Sequence, residues 1–158
     1  MTTDIVPAEV PAVPSLYGTR DPREVVQRAA EQAAVLADVL RSRQLTVRIE
    51  GREYVRIEGW TLLGSMLGVL PVTVWTRPMD DGWEARVEAQ TLDGRVVGAA
   101  EAMCTRSERR WSGQPSYALR SMAQTRAAAK ALRLPLGFVV ALAGYEATPA
   151  EEMEGIMD

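Results

Sequence analysis

Hydrophobic positions repeat with a helical period in three segments of the chain and with a strand period in five. The first segment begins at Asp21-Pro22, an N-cap residue followed by a proline at the first helical position, and continues to about Arg43. Its apolar positions share one helical face: Val25, Ala29, Val35, Leu36, Val39 and Leu40. The pattern predicts an amphipathic helix over residues 22–43.

Two short alternating runs follow, LTVRI at 45–49 and EYVRIE at 53–58, with Glu50-Gly51 between them. This arrangement predicts a β-hairpin. The next run, GWTLLGSMLG, places Trp60, Leu63 and Leu67 on one helical face and ends at Gly68. It predicts a short helix that packs on the sheet.

Three longer alternating runs come next: VLPVTVWTR at 69–77, WEARVEAQT at 83–91 and RVVGAAEAMC at 95–104. Asp81-Gly82 and Asp93-Gly94 separate them and are typical hairpin-turn pairs, because glycine tolerates a positive φ. The runs predict an antiparallel meander with one solvated face and one covered face.

The last of these strands is rich in residues too small to fill a core by themselves: Gly98, Ala99, Ala100 and Ala102. We therefore expect a helix to lie close against it. The candidate is the alanine-rich segment 115–134, which begins with a proline and is followed by Pro135 and Gly137 as stop signals. The predicted fold is α+β: a curved antiparallel sheet, made of the hairpin plus the three-stranded meander, packed against a long C-terminal basic helix and an N-terminal helix.

The pattern divides the chain into three regions. Residues 1–20 hold Pro7, Pro11 and Pro14 without an apolar period, which predicts a flexible or loosely docked N-terminal arm. Residues 21–145 form one predicted domain. Residues 146–158, which we call the acidic tail, contain five acidic residues and no basic residue, a composition that is commonly solvated.

Length and composition restrict the class of protein. The chain has 158 residues, of which 47% are hydrophobic and 25% are charged, values that suit one globular domain. Its apolar runs are too short to span a bilayer, and its first residues lack the features of a secretory signal. We expect a cytoplasmic protein.

Few candidates exist for catalytic chemistry. Cys104 is the only cysteine and there is no histidine, which excludes disulfides within the chain, thiolate–histidine zinc sites and nucleophile–histidine pairs. The acidic group Asp80, Asp81 and Glu84 is interpreted as part of a hairpin turn, since a nuclease site needs a nearby lysine and the only one is Lys130. No GxxxxGKS or GxxxxGKT loop is present. We predict no metal, no cofactor and no enzymatic activity.

The positive charge of the chain is concentrated in one segment. Residues 103–133 contain seven basic residues and one acid, Glu108, and so carry +6, whereas the whole chain carries −3. Such segregation is typical of a surface that binds a polyanion. The alternative is a well-solvated basic helix that follows an arginine-rich loop.

Two groups in this segment are candidate nucleic-acid contacts. One stripe of the predicted helix carries, at i, i+4 and i+7, Arg126, Lys130 and Arg133, and the predicted exposed loop before it carries Arg106, Arg109, Arg110 and Trp111. Arginine and lysine suit phosphate contacts. Trp111 either stacks on bases or forms a hydrophobic plug under the loop, and both interpretations are open.

The order of YVRIEGWTLLGSMLG, a meander and QTRAAAKALRLPLGF resembles the single-strand annealing proteins of the Rad fifty-two superfamily, including its phage-encoded branch. In that family an IEG turn leads into a short helix that ends in glycine, and a helix with a basic K/R-A-L-R core and a following glycine lies beyond the sheet. The matching residues are Ile57, Glu58, Gly59, Gly68, Lys130, Ala131, Leu132, Arg133 and Gly137. The resemblance covers about residues 45–140.

The resemblance implies a ring or related homo-oligomer whose subunits form a basic groove for single-stranded DNA. It carries Lys130 and Arg133 onto groove positions and Arg48 onto a further groove arginine. The family often has two adjacent basic residues in the helix, but Ala129 occupies the first place here, with Arg126 one turn earlier as a substitute. The acidic tail is then a candidate DNA mimic that competes for the groove, or a contact for a partner.

The predicted function is an oligomeric single-stranded DNA-binding protein that anneals complementary strands in homologous recombination without ATP, with residues 21–145 as the annealing domain. Its expected location is the bacterial cytoplasm or nucleoid, and candidate partners are a host or phage single-strand-binding protein or exonuclease. Two alternatives are a mediator that binds single strands without annealing them, and a structural oligomerisation protein with no DNA role.

Overall fold

The computed structural model describes residues 15–154 and residue 156. Their order is α1 (Pro22–Arg43), β1 (Thr46–Ile49), β2 (Arg52–Val55), α2 (Ile57–Leu67), β3 (Val69–Met79), β4 (Gly82–Thr91), β5 (Val96–Thr105), α3 (Ser116–Leu142) and α4 (Ala150–Met153). β1 and β2 pair as a two-stranded antiparallel sheet, and β3, β4 and β5 form an antiparallel meander with β4 in the centre. The predicted α+β class is confirmed, and the hairpin forms a sheet of its own.

Helix α1 begins as its sequence predicts. The Asp21 carboxylate accepts a hydrogen bond from the Arg23 N–H at 2.9 Å, and the helix ends where Gln44 takes a φ of 54°. The buried face consists of Ala29, Ala33, Leu36 and Leu40. Val35, which the pattern placed on that face, is 55% exposed.

Helix α2 packs into the core through Trp60 and Leu63, both fully buried. The Trp60 indole N–H donates to the carbonyl oxygen of Val55 at 3.1 Å, so the polar atom of this buried ring is satisfied. Gly68 ends the helix with a φ of 71°, as predicted.

The meander has the predicted alternation. Ala85, Val87 and Ala89 of β4 are buried, whereas the residues between them are partly exposed. One turn differs from the prediction: Met79 pairs with Gly82, so Asp80 and Asp81 form the turn and Gly82 belongs to β4. Glycine is required there because a Cβ would overlap the Cys104 carbonyl of β5.

Helix α3 covers the buried face of the meander, and the predicted close approach is confirmed. A Cβ at Gly98 would lie 2.8 Å from the Ala131 carbonyl oxygen. The predicted end of this helix is wrong, because α3 continues through Pro135 to Leu142. An interior proline costs about 3 kcal/mol. The fully buried Leu136, Val139 and Val140 offset that cost by packing in the core.

The described end of the N-terminal arm is docked. Leu16 and Tyr17 pack against the core, and the Tyr17 ring centroid lies 5.8 Å from that of Phe138 on α3. Residues 1–14 of the predicted arm lie outside the described residues. Among the helices that the structure describes, none is long and apolar enough to cross a membrane.

Candidate nucleic-acid interface

Arg126 lies in the middle of the basic segment, but its side chain is buried. The residue is 8% exposed. Its guanidinium donates to both carboxylate oxygens of Glu108, at 2.8 and 3.0 Å, and to the Met103 carbonyl oxygen at 3.0 Å. The prediction that Arg126 contacts nucleic acid is wrong, because its side chain is buried where α3 faces the end of β5.

Glu108 connects the arginine-rich loop to helix α3. Its carboxylate also accepts a hydrogen bond from the Thr105 N–H at 3.0 Å. Burial raises the pKa of Glu108, but hydrogen bonds from Arg126 and Thr105, with the attraction of the guanidinium, outweigh burial and hold that pKa below its ordinary value of 4.5. Glu108 is therefore ionised at neutral pH, and the pair joins the loop to α3.

The loop presents arginines outward and buries its tryptophan. Trp111 is 9% exposed and belongs to the core, so the structure supports the hydrophobic plug and not base stacking. Arg109 and Arg110 are exposed, and the Arg110 guanidinium lies 5.8 Å from the centroid of the Trp111 ring. Arg106 is exposed as well, but it donates to the Gln114 carbonyl oxygen at 2.6 Å and so closes the loop.

A second contact between an arginine and an aromatic ring lies near this loop, and the sequence pattern did not predict it. The Arg120 guanidinium, one turn into α3, lies 5.5 Å from the centroid of the partly exposed Trp83 ring. The Trp83 indole N–H donates to Ser116 Oγ at 2.9 Å. Trp83, Ser116 and Arg106 line one open cleft of about 260 Å³. The sequence pattern identified Arg120 as one of the seven basic residues of the segment. It identified Trp83 only as a position in a predicted strand.

Lys130 and Arg133 lie further along α3. Lys130 is partly buried, lines an open cleft of about 300 Å³ with Glu151 and Glu152, and has no hydrogen bond or ion pair within the described ranges. The Arg133 guanidinium donates to both oxygens of Glu152, at 2.5 and 3.2 Å. Ala129 is fully buried, so the core leaves no place for the second basic residue of the family pattern.

Arg48 is separate from this group. It is exposed on β1, where its register partner on β2 is Glu53. No described contact connects it with α3 or with the arginine-rich loop. The structure thus places the loop arginines, Arg120, Lys130 and Arg133 on the loop and α3, and leaves Arg48 on the hairpin.

Other reactive groups do not form a site. The Cys104 thiol is fully buried, and burial raises its pKa to about 11, so the thiol is protonated at neutral pH. Over residues 15–154 and 156, no group of three or more acidic, histidine or cysteine side chains is arranged to hold a metal ion.

Comparisons of the chain with protein-family models, with curated proteins and with solved structures gave no significant match. The resemblance to the annealing proteins stays a prediction from short motifs. The function is therefore argued from the geometry of this chain.

Proposed function

We propose that the protein is an oligomeric single-stranded DNA-binding protein that anneals complementary strands without ATP. One observation carries the proposal: four arginines are exposed on the loop and on the first turns of α3, and we call them the arginine array. Its members are Arg106, Arg109, Arg110 and Arg120. Guanidinium groups bind phosphate oxygens in a planar, bidentate geometry that does not depend on the base.

The array is held in place before any ligand binds. The buried pair between Arg126 and Glu108 joins the loop to α3, and the Arg106 contact with Gln114 closes the loop. A loop that is already ordered loses less conformational entropy on binding than a mobile loop does. In this proposal Arg126 therefore positions the DNA-binding residues and does not touch DNA.

Lys130 and Arg133 extend the proposed surface along the helix. Lys130 follows Arg120 by ten residues, which is roughly 15 Å along the helix axis at 1.5 Å per residue and about 80° around it at 3.6 residues per turn. That length suits a single strand of several nucleotides, within the range of known single-strand sites. Trp83, with Arg120 beside it, replaces Trp111 as the proposed stacking residue.

Self-association is part of the proposal, and the outer edge of β3 supports it. β3 has 11 residues and pairs only with β4 among the described strands. It exposes Leu70, Val72 and Val74, with exposed fractions of 44%, 38% and 48%. Pro71, Pro78 and a bulge at Val74 limit backbone pairing along this edge, so its exposed apolar side chains are the feature that favours contact with another chain. A second copy that binds this edge would extend the basic surface from one subunit to the next.

The test is the salt dependence of binding to a fluorescent single-stranded oligonucleotide. Arg109→Ala combined with Arg120→Ala should weaken binding and reduce the slope of log affinity against log salt by about 1.4, for two lost phosphate contacts. The matched control is Arg23→Ala combined with Arg43→Ala, because these arginines are exposed at the two ends of α1.

Two outcomes would redirect the proposal. Absence of binding by the unmodified protein at low salt would contradict the DNA role and favour the structural oligomerisation protein. Binding without faster pairing of complementary labelled strands would contradict annealing and favour the mediator.

A further inference from the structure

The acidic tail is not a free extension in the described structure. The Glu146 N–H donates to the carbonyl oxygen of Glu53 at 3.0 Å, which places the start of the tail beside the hairpin. Ala150 and Glu151 are then buried, at 1% and 7% exposure. The tail returns along α3 and packs against the same domain that carries the proposed DNA site.

Glu151 anchors the tail to helix α2. Its carboxylate accepts a hydrogen bond from the Ile57 N–H at 2.7 Å, at the start of α2, where the N-cap residue Arg56 makes no side-chain cap. The carboxylate therefore caps α2 across 94 residues of sequence. This contact involves no residue of the basic surface. It can therefore hold the tail against the domain when the other contacts of the tail are broken.

Two further acids of the tail, Glu152 and Glu154, lie on proposed DNA-binding residues. Glu152 holds Arg133 through two hydrogen bonds, and Glu154 lies 3.7 Å from the Arg110 guanidinium. Glu152 also lines the cleft that contains Lys130. The carboxylates of Glu152 and Glu154 thus lie against Arg110 of the arginine array and against Arg133 further along α3.

We infer that the acidic tail is an intramolecular competitor for the DNA site, in which Glu152 and Glu154 take the places of phosphate groups on Arg133 and Arg110. The inference rests on the proposed DNA-binding function. A carboxylate and a phosphate offer arginine the same pair of acceptor oxygens. Partly exposed ion pairs are weak, so a strand with several phosphates displaces the tail.

The test compares two variants with the same change in net charge. Glu152→Gln combined with Glu154→Gln should bind a single-stranded oligonucleotide about fivefold more tightly than the unmodified protein at low salt, as expected when two partly exposed ion pairs no longer compete. The gain should shrink as salt rises. The control, Glu31→Gln combined with Asp38→Asn, changes two exposed acids on α1 and should gain less than about twofold.

Hydrogen exchange on the unmodified protein tests the same inference without substitutions. Amides of residues 152–154, which carry the displaced carboxylates, should exchange faster when the oligonucleotide is bound. If the unmodified protein binds DNA but the Glu152/Glu154 variant binds no tighter and exchange in the tail is unchanged, the inference is wrong and the proposed function stands. If no variant binds DNA, both are wrong.

Discussion

Arg126 and Glu108 form a bidentate ion pair whose side chains are 9% and 18% exposed, and this pair joins the arginine-rich loop to the long helix. The pair also contacts the end of β5, through the Met103 carbonyl and the Thr105 N–H. Arg126, although it lies in the centre of the basic segment, thus has a structural role. The charge available to a ligand belongs to its neighbours on the surface.

Removal of Arg126 should destabilise the fold. Arg126→Ala leaves Glu108 ionised and poorly solvated, which should cost about 3 kcal/mol of unfolding free energy. Chemical denaturation measures this loss, and the buried Cys104 thiol should react faster with a thiol reagent. The control Arg86→Ala breaks a more exposed pair with Glu101 and should cost less than about 1 kcal/mol. Equal losses in the two variants would show that the buried pair has no special role.

The same pair predicts an acid limb in the stability profile. The pKa of Glu108 is lowered in the folded protein, so its contribution is present above the unfolded pKa and is lost as pH falls through the folded pKa. Glu108→Gln should therefore be destabilising at pH 7, and its difference from the unmodified protein should shrink below about pH 4. Urea denaturation at several pH values measures this, and a difference that is constant with pH would contradict the assignment.

Glu151 should act in the opposite direction. Burial raises its pKa, so its contribution to stability is fully present below the unfolded pKa and is lost as pH rises through the folded pKa. Glu151→Gln keeps an oxygen to accept from the Ile57 N–H and removes the charge. Relative to the unmodified protein, the variant should become more stable as pH rises above about 4.3. A relative stability that falls over that range would show that the ionised form is the favoured one.

The two tryptophans near the arginine array should respond differently to substitution. Trp111→Ala should cost about 3–5 kcal/mol of stability, because the ring is buried. Trp83→Ala should weaken binding to single strands much more than to duplex, because stacking needs an unpaired base. Anisotropy titrations with single-stranded and duplex oligonucleotides, combined with melting curves, separate the two effects. Equal loss for both DNA forms would remove Trp83 from the binding site.

The apolar edge of β3 should control assembly. Val72→Lys combined with Val74→Lys places two charges on that edge and should dissociate the oligomer, since burial of a charge in an apolar contact is costly. Light scattering at micromolar concentration measures the mass. The control Val26→Lys changes a valine that is 59% exposed on α1 and should leave the oligomer intact. A strictly monomeric unmodified protein, with and without DNA, would contradict the oligomeric part of the proposal.

Local physical chemistry accounts for the parts of the fold that sequence analysis predicted. The Asp21 cap and Pro22 determine where α1 begins, and alternating polarity determines the strands of the meander. The close approach of α3 to Gly98 also followed from the sequence, because a strand of small residues needs a near neighbour. These features depend on residues close together in the chain or on side-chain volume alone.

The sequence by itself determined the α+β class and the concentration of basic charge in one segment. Only the tertiary structure decided which of these charges are free for a ligand. Arg126 pairs with Glu108, 18 residues away in sequence, and Arg133 pairs with Glu152, 19 residues away. Helical periodicity shows on which face of a helix a residue lies, but it does not show which residue it will pair with. The path of α3 through Pro135 was likewise decided by burial of the residues that follow it, because packing in the core outweighs a local signal of about 3 kcal/mol.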